Sequence, residues 1–349
     1  MKIPFLTKKQ NKTLLVEARQ TIESISKSND VLAICPQPTG YSWLGVNVAT
    51  KSLFPNNTFE IPQNYSNSIF TDLELNKLVN VIYECGFKQI ILSGYPPYFY
   101  KIVEKMRKTN PQIKIKVIFH GFLSELSENI ILQKVFSNLI EFVKARKITS
   151  IGFIKAGMAK TVSKVYNLKC TDLVLPTHLQ GEIRKKPTDE IHIGCLVNNS
   201  FRKNLHNQVN AALMLENAIV HVFENDDLNY LPQDRLVQHK LMDHESFIKL
   251  LGSMHINLHV TYSESWGQVL SESIALGVPC LSAYTSAYFD YDDNLRKALL
   301  VDGFDDSWHI YNKLKTVLTN YNAIAEECLA YADNINNLSI EKMKGFIDA

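Results

Sequence analysis

Short apolar runs alternate with amphipathic stretches along almost the whole chain, and this alternation restricts the fold more than any other feature. The amphipathic stretches have helical periodicity, and the clearest lie at 73–86, 98–109, 204–216, 245–254 and 267–277. The apolar runs have the length and composition of buried parallel strands, and they lie at 30–35, 89–94, 115–121, 150–154, 191–197, 219–223, 256–261 and 278–282. Strand–helix–strand alternation of this kind predicts an α/β fold with parallel sheets covered on both faces.

The length of 349 residues suits two domains of roughly 100–200 residues each. The charged segment 181–190 contains Gly and Pro and precedes a new apolar strand, so it is the best candidate for a boundary. We therefore predict an N-terminal Rossmann-like domain over 1–185, a C-terminal one over 186–335 and a terminal helix over 336–349. Nucleotides bind such domains at the carboxyl ends of the strands.

Composition excludes several classes of protein. Hydrophobic residues make up 46% and charged residues 21%, which is typical of a soluble globular chain. No apolar run approaches the ~20 residues that cross a bilayer, and the N-terminus lacks the apolar stretch of a secretory signal. The six cysteines are far apart and form no CxxC pair, which favours free thiols in a reducing compartment. We predict a cytoplasmic protein.

Charge is distributed unevenly between the two halves. Residues 1–180 contain 23 Lys and Arg against 12 Asp and Glu, whereas residues 181–349 contain 14 against 23. The basic half suits an anionic partner, and peripheral contact with the inner face of a membrane is one interpretation. Lysines on solvated helix faces are the other interpretation, and the sequence does not separate the two. No nucleic-acid partner is expected.

The segment 255–283 contains the most informative arrangement of residues. A buried strand ends near Thr261, a polar loop with Glu264 follows, and a helix begins near Gly267. Ser265 is the predicted N-cap, because its side-chain oxygen can accept from a free N–H of the first turn.

The start of this helix is a candidate anion site. The N–H groups of Gly267, Gln268 and Val269 would point at the strand end, where the helix dipole favours negative charge. Gly267 leaves room for the backbone to approach a pyrophosphate closely. Glu264 lies on the loop above this site, and Glu272 could accept two hydrogen bonds from a vicinal diol such as a ribose.

The stretch ESWGQVLSESIALGVP, from Glu264 to Pro279, resembles the E-x7-E signature of retaining GT-B glycosyltransferases of family four. The resemblance implies two Rossmann-like domains facing across a cleft, a nucleoside diphosphate sugar as donor, and no required cofactor or metal. It also implies that Glu264 contacts the donor sugar and that Glu272 contacts the ribose hydroxyls. The backbone of 267–269 would then meet the diphosphate or the sugar.

A basic pair, Arg202 and Lys203, follows the first strand of the C-terminal half. A guanidinium offers a planar fork to phosphate oxygens, and an ammonium offers a point charge. The pair resembles the family's basic residues that hold the donor phosphates. The family usually spaces them about one helical turn apart, and their adjacency here makes Arg202 the first candidate. Two surface cations near a helix start are the alternative.

Three further candidates come from the same resemblance. His120 follows a strand at a place where the family has a histidine lining the cleft near the donor sugar. Gly40, in the loop 35–46, resembles the glycine loop that faces the donor phosphates. The family holds the nucleobase before the helix that corresponds to 245–254, which indicates Lys240 and Leu241.

Other patterns have simpler interpretations. The aromatic run 94–100 suits either a platform for an acceptor or, as we favour, a helix start packed with aromatic rings. Asp290 and Asp292 form a D-x-D pattern that we interpret as a surface loop. His255 and His259 would lie ~13 Å apart along one strand, too far to share a metal ion.

The resemblance implies a retaining transfer of a hexose-type sugar to a hydroxyl acceptor, in the synthesis of a bacterial surface glycan or glycolipid. Glu264, His120 and Arg202 are the implied catalytic residues, and the acceptor is a carbohydrate, lipid-linked or protein molecule. The alternatives are an inverting GT-B transferase, an epimerase, and a catalytically silent module that binds a sugar nucleotide.

Overall fold

A computed structural model describes residues 8–40, 42–64, 67–182, 187 and 189–349. Contacts divide the chain into two compact units, one formed by Met1–Pro176 with Ile340–Ala349 and the other by Thr177–Ser339. The predicted boundaries, after 185 and after 335, differ from these divisions by nine and four residues.

The first unit is an α/β unit built on a parallel sheet. Its sheet strands are β1 (Val31–Pro36), β2 (Thr58–Ile61), β5 (Gln89–Ser93), β6 (Lys114–Phe119), β7 (Ser150–Phe153) and β8 (Cys170–Asp172), and a separate hairpin is formed by β3 (Gln63–Asn64) and β4 (Asn67–Ser68). Its helices are α1 (Lys8–Ser26), α2 (Leu44–Leu53), α3 (Asp72–Glu84), α4 (Phe99–Thr109), α5 (Ile130–Lys144) and α6 (Met158–Tyr166). The order in the sheet is β2-β1-β5-β6-β7-β8, with every pair parallel.

The second unit has the same construction. Its strands are β9 (Ile191–Cys195), β10 (Ala218–Phe223), β11 (Leu236–His239), β12 (Ile256–His259), β13 (Cys280–Ala283) and β14 (Leu300–Val301). Its helices are α7 (Leu205–Leu213), α8 (His244–Ser253), α9 (Gln268–Ala275), α10 (Asp293–Leu299), α11 (Ser307–Thr319) and α12 (Tyr321–Asp348), the last of which ends in the first unit. The order in the sheet is β11-β10-β9-β12-β13-β14, again parallel throughout.

The predicted α/β class and all eight predicted strands are confirmed, each strand to within two residues at either end. These strands were recognisable because they are buried on both faces, as in β5, where all five residues are buried. The sequence did not reveal β2, β8, β11 or β14. β2, β8 and β11 contain partly exposed residues, and β8 and β11 have no buried residue. No continuous apolar run therefore marks these three strands.

The strand order of each sheet reverses at one point, between β1 and β5 in the first unit and between β9 and β12 in the second. At such a point the connections that follow the two neighbouring strands run toward opposite sides of the sheet. A crevice therefore forms between the loops at the carboxyl ends of these strands, and ligands bind there in open α/β sheets. The second unit's switch point therefore lies at the ends of β9 and β12.

A buried lysine fixes the end of the chain to the first unit. Lys116, in β6, is fully buried, and its Nζ donates to the carbonyl oxygens of Phe346 at 2.5 Å and Ile347 at 3.0 Å. These carbonyls lie in the last turn of α12, where a cation is favoured by the helix dipole. Burial, with Lys114 and Lys169 nearby, lowers the pKa of Lys116 to about 8.

Four imidazoles lie side by side across the second sheet and form what we call the histidine ladder: His239 in β11, His221 in β10, His192 in β9, and His255 directly before β12. Nδ1 of His192 is 2.9 Å from Nε2 of His221, and Nδ1 of His221 is 2.9 Å from Nε2 of His239. The backbone N–H of His192 donates to Nδ1 of His255 at 2.9 Å. Burial and the neighbouring His239 and His192 lower the pKa of His221 to about 4.

The ladder predicts a specific loss of stability in mild acid. Because the folded pKa of His221 lies below the value of about 6.5 in an unfolded chain, the unfolded state binds more protons as the pH falls below 6.5. Stability should therefore decrease between pH 6.5 and pH 4, by about 2 kcal/mol at pH 5 from His221 alone. Urea unfolding of wild type and His221→Gln at pH 7.5 and pH 5 measures this contribution. An equal loss in both proteins would contradict it.

Candidate functional site

The loops after β9 and β12 meet at the switch point of the second sheet. Arg202 and Lys203 lie in a short 3-10 turn, Phe201–Lys203, that follows β9. The backbone N–H of Tyr262, just after β12, donates to the carbonyl oxygen of Arg202 at 2.8 Å. The ring of Phe201 lies 5.0 Å from that of Tyr262, centroid to centroid. The basic pair and the polar loop of the E-x7-E segment are thus held next to each other.

Glu264 and the basic pair form one charged cluster. The Lys203 ammonium contacts Oε2 of Glu264 at short range, and Nη1 of Arg202 lies 3.5 Å from the same oxygen. Nε2 of His259 lies 3.3 Å from it, in a contact that lacks hydrogen-bond geometry. The side chain of Glu264 is 11% exposed and that of Lys203 is 14% exposed, so this pair is largely desolvated. Arg202, at 35%, is the more open of the two cations.

The ionisation of this cluster follows from its burial and its cations. Burial opposes the charge on Glu264 and is the largest single influence, but the Lys203 ammonium and the adjacent His259 together outweigh it and hold the pKa of that carboxyl well below its usual range. Burial, with Lys203 nearby, lowers the pKa of His259, which keeps its imidazole neutral at neutral pH. The cluster is therefore one buried carboxylate shared by two cations beside a neutral ring.

The helix of the E-x7-E segment starts later than predicted. Ser265 is not its N-cap; Gly267 is, with φ 86° and no side-chain capping hydrogen bond, and α9 begins at Gln268. The buried ring of Trp266 packs edge-on against Tyr288, which fixes the chain before the turn. The left-handed backbone conformation favours glycine at position 267, and a Cβ there would make a tight contact, 3.3 Å from the ring of His259.

Glu272 has a partner that the sequence did not indicate. It is buried in the second turn of α9, and its Oε1 lies 2.8 Å from Nε2 of His244, the first residue of α8. The hydrogen bond to Glu272 raises the pKa of His244. The segment predicted to hold the nucleobase, with Lys240 and Leu241 exposed, connects β11 directly to α8. Glu272 is therefore linked through His244 to the end of that segment.

The other candidates lie in the first unit. Nε2 of His120, directly after β6, is 3.0 Å from Oγ of Ser93 at the end of β5, and burial lowers the pKa of His120 to about 4. Gly40, after β1, is exposed and has φ 60° in a tight turn, where Thr39 and Ser42 exchange two backbone hydrogen bonds. Both residues lie in loops at the carboxyl edge of the sheet.

The aromatic run and the D-x-D pattern have the simpler of their two interpretations. In the aromatic run, Tyr95, Tyr98 and Phe99 are buried, as a packed helix start requires. Asp292 caps α10 by accepting from the N–H groups of Asn294 and Leu295.

Across the residues that the structure describes, no group of three or more His, Cys, Asp or Glu side chains is placed to hold a metal ion. Within the same part of the chain, no helix has the length and apolarity to cross a bilayer.

Four residues of the site were missed by sequence reasoning: Asn204, Gln208, His244 and His259. The only available signal was the concentration of amide and imidazole side chains in NLHNQ at 204–208, directly after the basic pair. His244 directly precedes the predicted helix 245–254, and its partner Glu272 is 28 residues away. His259 lies inside the predicted strand 256–261, five residues before Glu264.

No family model matches the chain, and no curated protein matches it. Solved structures do resemble it. A sucrose-phosphate synthase from Thermosynechococcus elongatus superposes with a TM-score of 0.63 at 11% identity, over 91% of this chain and 98% of that one. Anabaena HepE, in complex with UDP and glucose, gives 0.61 at 11%, over 91% and 99%. WaaG, a glycosyltransferase involved in lipopolysaccharide biosynthesis, gives 0.56 at 14%, over 89% and 98%.

The chain has a GT-B fold. Its two Rossmann-like units, each with a parallel six-stranded sheet, correspond over most of their length to both halves of these proteins. The predicted fold class is confirmed. In the second unit of this GT-B fold, the charged cluster occupies the switch point, where open α/β sheets bind their ligands.

The buried ion pair predicts a stability effect that can be measured without any ligand. Lys203→Met removes the closer of the two cations that contact the buried Glu264 carboxylate, so we expect a loss of about 3 kcal/mol in the free energy of unfolding. The double variant Lys203→Met/Glu264→Gln removes the uncompensated charge and should recover most of that loss. Urea unfolding of both variants provides the comparison. A single variant as stable as wild type, or a double variant less stable than the single, would contradict the assignment.

Proposed function

We propose that this chain is a retaining glycosyltransferase that moves a hexose-type sugar from a nucleoside diphosphate sugar to a hydroxyl acceptor. The observation that carries the proposal is the cluster of Lys203, Arg202 and Glu264 at the switch point, beside the start of α9. Cations and helix N-termini are the groups that bind diphosphates in proteins. HepE, a structural neighbour, was crystallised with UDP and with UDP-glucose, which supports a sugar nucleotide as the donor.

The chemistry assigns a role to each positive group. The bond between the anomeric carbon and the leaving oxygen weakens, so negative charge grows on the diphosphate. Lys203, Arg202 and the first N–H groups of α9 would stabilise that charge, because they are preorganised and partly desolvated. Gly267 lets the backbone come close to the phosphates, as its lack of a side chain permits.

The two glutamates would hold the donor on either side of the diphosphate. Glu264 is ionised and can accept hydrogen bonds from sugar hydroxyls, but its low pKa makes it a poor base. Retention would then follow from front-face attack, in which the leaving phosphate assists deprotonation of the acceptor. Glu272 would accept from the ribose hydroxyls while its Oε1 stays with His244. Lys240 and Leu241 would border the nucleobase.

The first unit and the acceptor enter the proposal through the resemblance. His120, neutral at pH 7 because of its low pKa, would contact the donor sugar, and Gly40 would face the phosphates. WaaG acts in lipopolysaccharide biosynthesis, which supports a bacterial surface glycan or glycolipid as the product. We place the enzyme in the cytoplasm, with the basic first unit against the inner face of the membrane. The acceptor would be a carbohydrate, a lipid-linked or a protein molecule.

Donor turnover tests the proposal. We expect Arg202→Ala and Glu272→Ala each to lower kcat/KM for donor hydrolysis or transfer by about 100-fold, because each removes a charged contact to the bound donor. The control is Lys315→Ala, which removes an exposed lysine on α11. UDP-, GDP- and ADP-linked hexoses are the donors to be measured.

Three outcomes would contradict the proposal. Near-normal turnover in both Arg202→Ala and Glu272→Ala would remove the assigned site. A product of inverted anomeric configuration, determined by NMR, would exclude the retaining mechanism. Tight binding of a donor without turnover on any acceptor would indicate a silent binding module.

A further inference from the structure

A fully buried glutamine joins the two loops that carry the charged cluster. Gln208, in α7, is 0% exposed. Its Oε1 accepts the backbone N–H of Val260 at 2.9 Å. Its Nε2 donates to the carbonyl oxygen of Lys203 at 2.7 Å and to that of Asn204 at 3.3 Å. One side chain thus links the loop after β9 to the end of β12.

A second amide side chain, that of Asn204, binds the carbonyl group of Val260, whose N–H is bound by Gln208. Nδ2 of Asn204, itself buried, donates to the carbonyl oxygen of Val260 at 3.1 Å and to that of Phe304 at 2.6 Å. Asn204 has φ 53°, a left-handed conformation that asparagine tolerates better than most residues. Both backbone groups of Val260 are therefore bound by side chains, the N–H by Gln208 of α7 and the carbonyl by Asn204 of the loop after β9. We call Gln208 and Asn204 the amide clamp.

The clamp holds the backbone at or near both partners of the ion pair. Lys203 is bound through its own carbonyl, and Val260 lies four residues before Glu264 in the chain. The ion pair alone cannot fix these loops for a ligand, because a diphosphate would compete with Glu264 for the Lys203 ammonium. Three of the clamp's polar atoms bond backbone groups, and the fourth, Oδ1 of Asn204, accepts from Asn207 at 2.8 Å. None of these bonds involves the ammonium, so the clamp stays intact when the ammonium changes partner. Groups that bind a charged ligand need such supporting hydrogen bonds to keep their geometry.

We propose that Gln208, with Asn204, is a positioning residue that holds Lys203 at the distance from the β12 loop that a diphosphate requires. This inference rests on the proposed function, because it assumes that the cluster binds the diphosphate of a nucleotide. The clamp touches no ligand, but it determines how much the second phosphate contributes to the affinity for the nucleotide.

A purely structural role makes a different prediction. Buried amides that only satisfy backbone groups would, when removed, weaken the whole unit and every ligand equally. If the amides position Lys203, removing them should selectively weaken the contact to the second phosphate. The ratio of diphosphate to monophosphate affinity therefore separates the two roles.

The test compares Gln208→Met with Val209→Ala in the full chain. Gln208→Met keeps the volume and removes the three hydrogen bonds. Val209→Ala, at the next residue of α7, removes buried apolar atoms and no polar one, and serves as a control for lost stability. Asn204→Gly keeps the left-handed backbone and removes the second amide, so it tests the clamp independently if Gln208→Met folds poorly. Isothermal titration gives the affinities for UDP, GDP and ADP and for their monophosphates.

We expect Gln208→Met and Asn204→Gly to weaken binding of the preferred diphosphate by at least about tenfold and of its monophosphate by less than about threefold. Val209→Ala should leave the ratio of the two affinities as in wild type. Equal weakening of both nucleotides by the clamp variants, or a selective loss in Val209→Ala, would overturn the inference. A wild-type protein that binds none of the three diphosphates would instead overturn the proposed function, and the inference with it.

Discussion

The candidate site of the second unit depends on one buried ion pair, Glu264 with Lys203, at the reversal of strand order. Removing two opposite charges from water costs several kcal/mol per ion, and their attraction regains this only with good geometry and further hydrogen bonds. Such a pair is a poor means of stabilising a fold by itself. A carboxylate and two cations that remain ionised in a largely dry place suit the binding of a charged ligand instead.

Topology explains why these residues come together. In the order β11-β10-β9-β12-β13-β14, the two neighbours β9 and β12 are far apart in sequence, and the chain leaves them toward opposite ends of the sheet. Their loops therefore meet at the carboxyl edge with no connecting segment over them. The basic pair follows β9, Glu264 follows β12, and α9 starts directly afterwards. Asn204 and Gln208 then tie these loops through backbone groups, which leaves the charged side chains available to a ligand.

The sequence predicted the parts of this arrangement that are local. Buried strands such as β5 appear as continuous apolar runs, and the sixteen residues from Glu264 to Pro279 identify a loop and a helix directly before β13. It did not predict contacts between distant segments, such as Glu272 with His244 or Gln208 with Val260, because no local pattern encodes a partner. The N-cap was wrong for a related reason. The propensity of Ser265 is overridden by the packing of Trp266 and the close approach of Gly267 to His259, which are tertiary effects.

A crystal structure of the chain with a bound nucleoside diphosphate hexose tests the central claim most directly. The account predicts the diphosphate within hydrogen-bonding distance of Lys203 Nζ and of the backbone N–H groups at the start of α9, with the Glu264 carboxylate turned from the ammonium toward the sugar. A nucleotide bound elsewhere, with the Lys203–Glu264 pair unchanged, would contradict it.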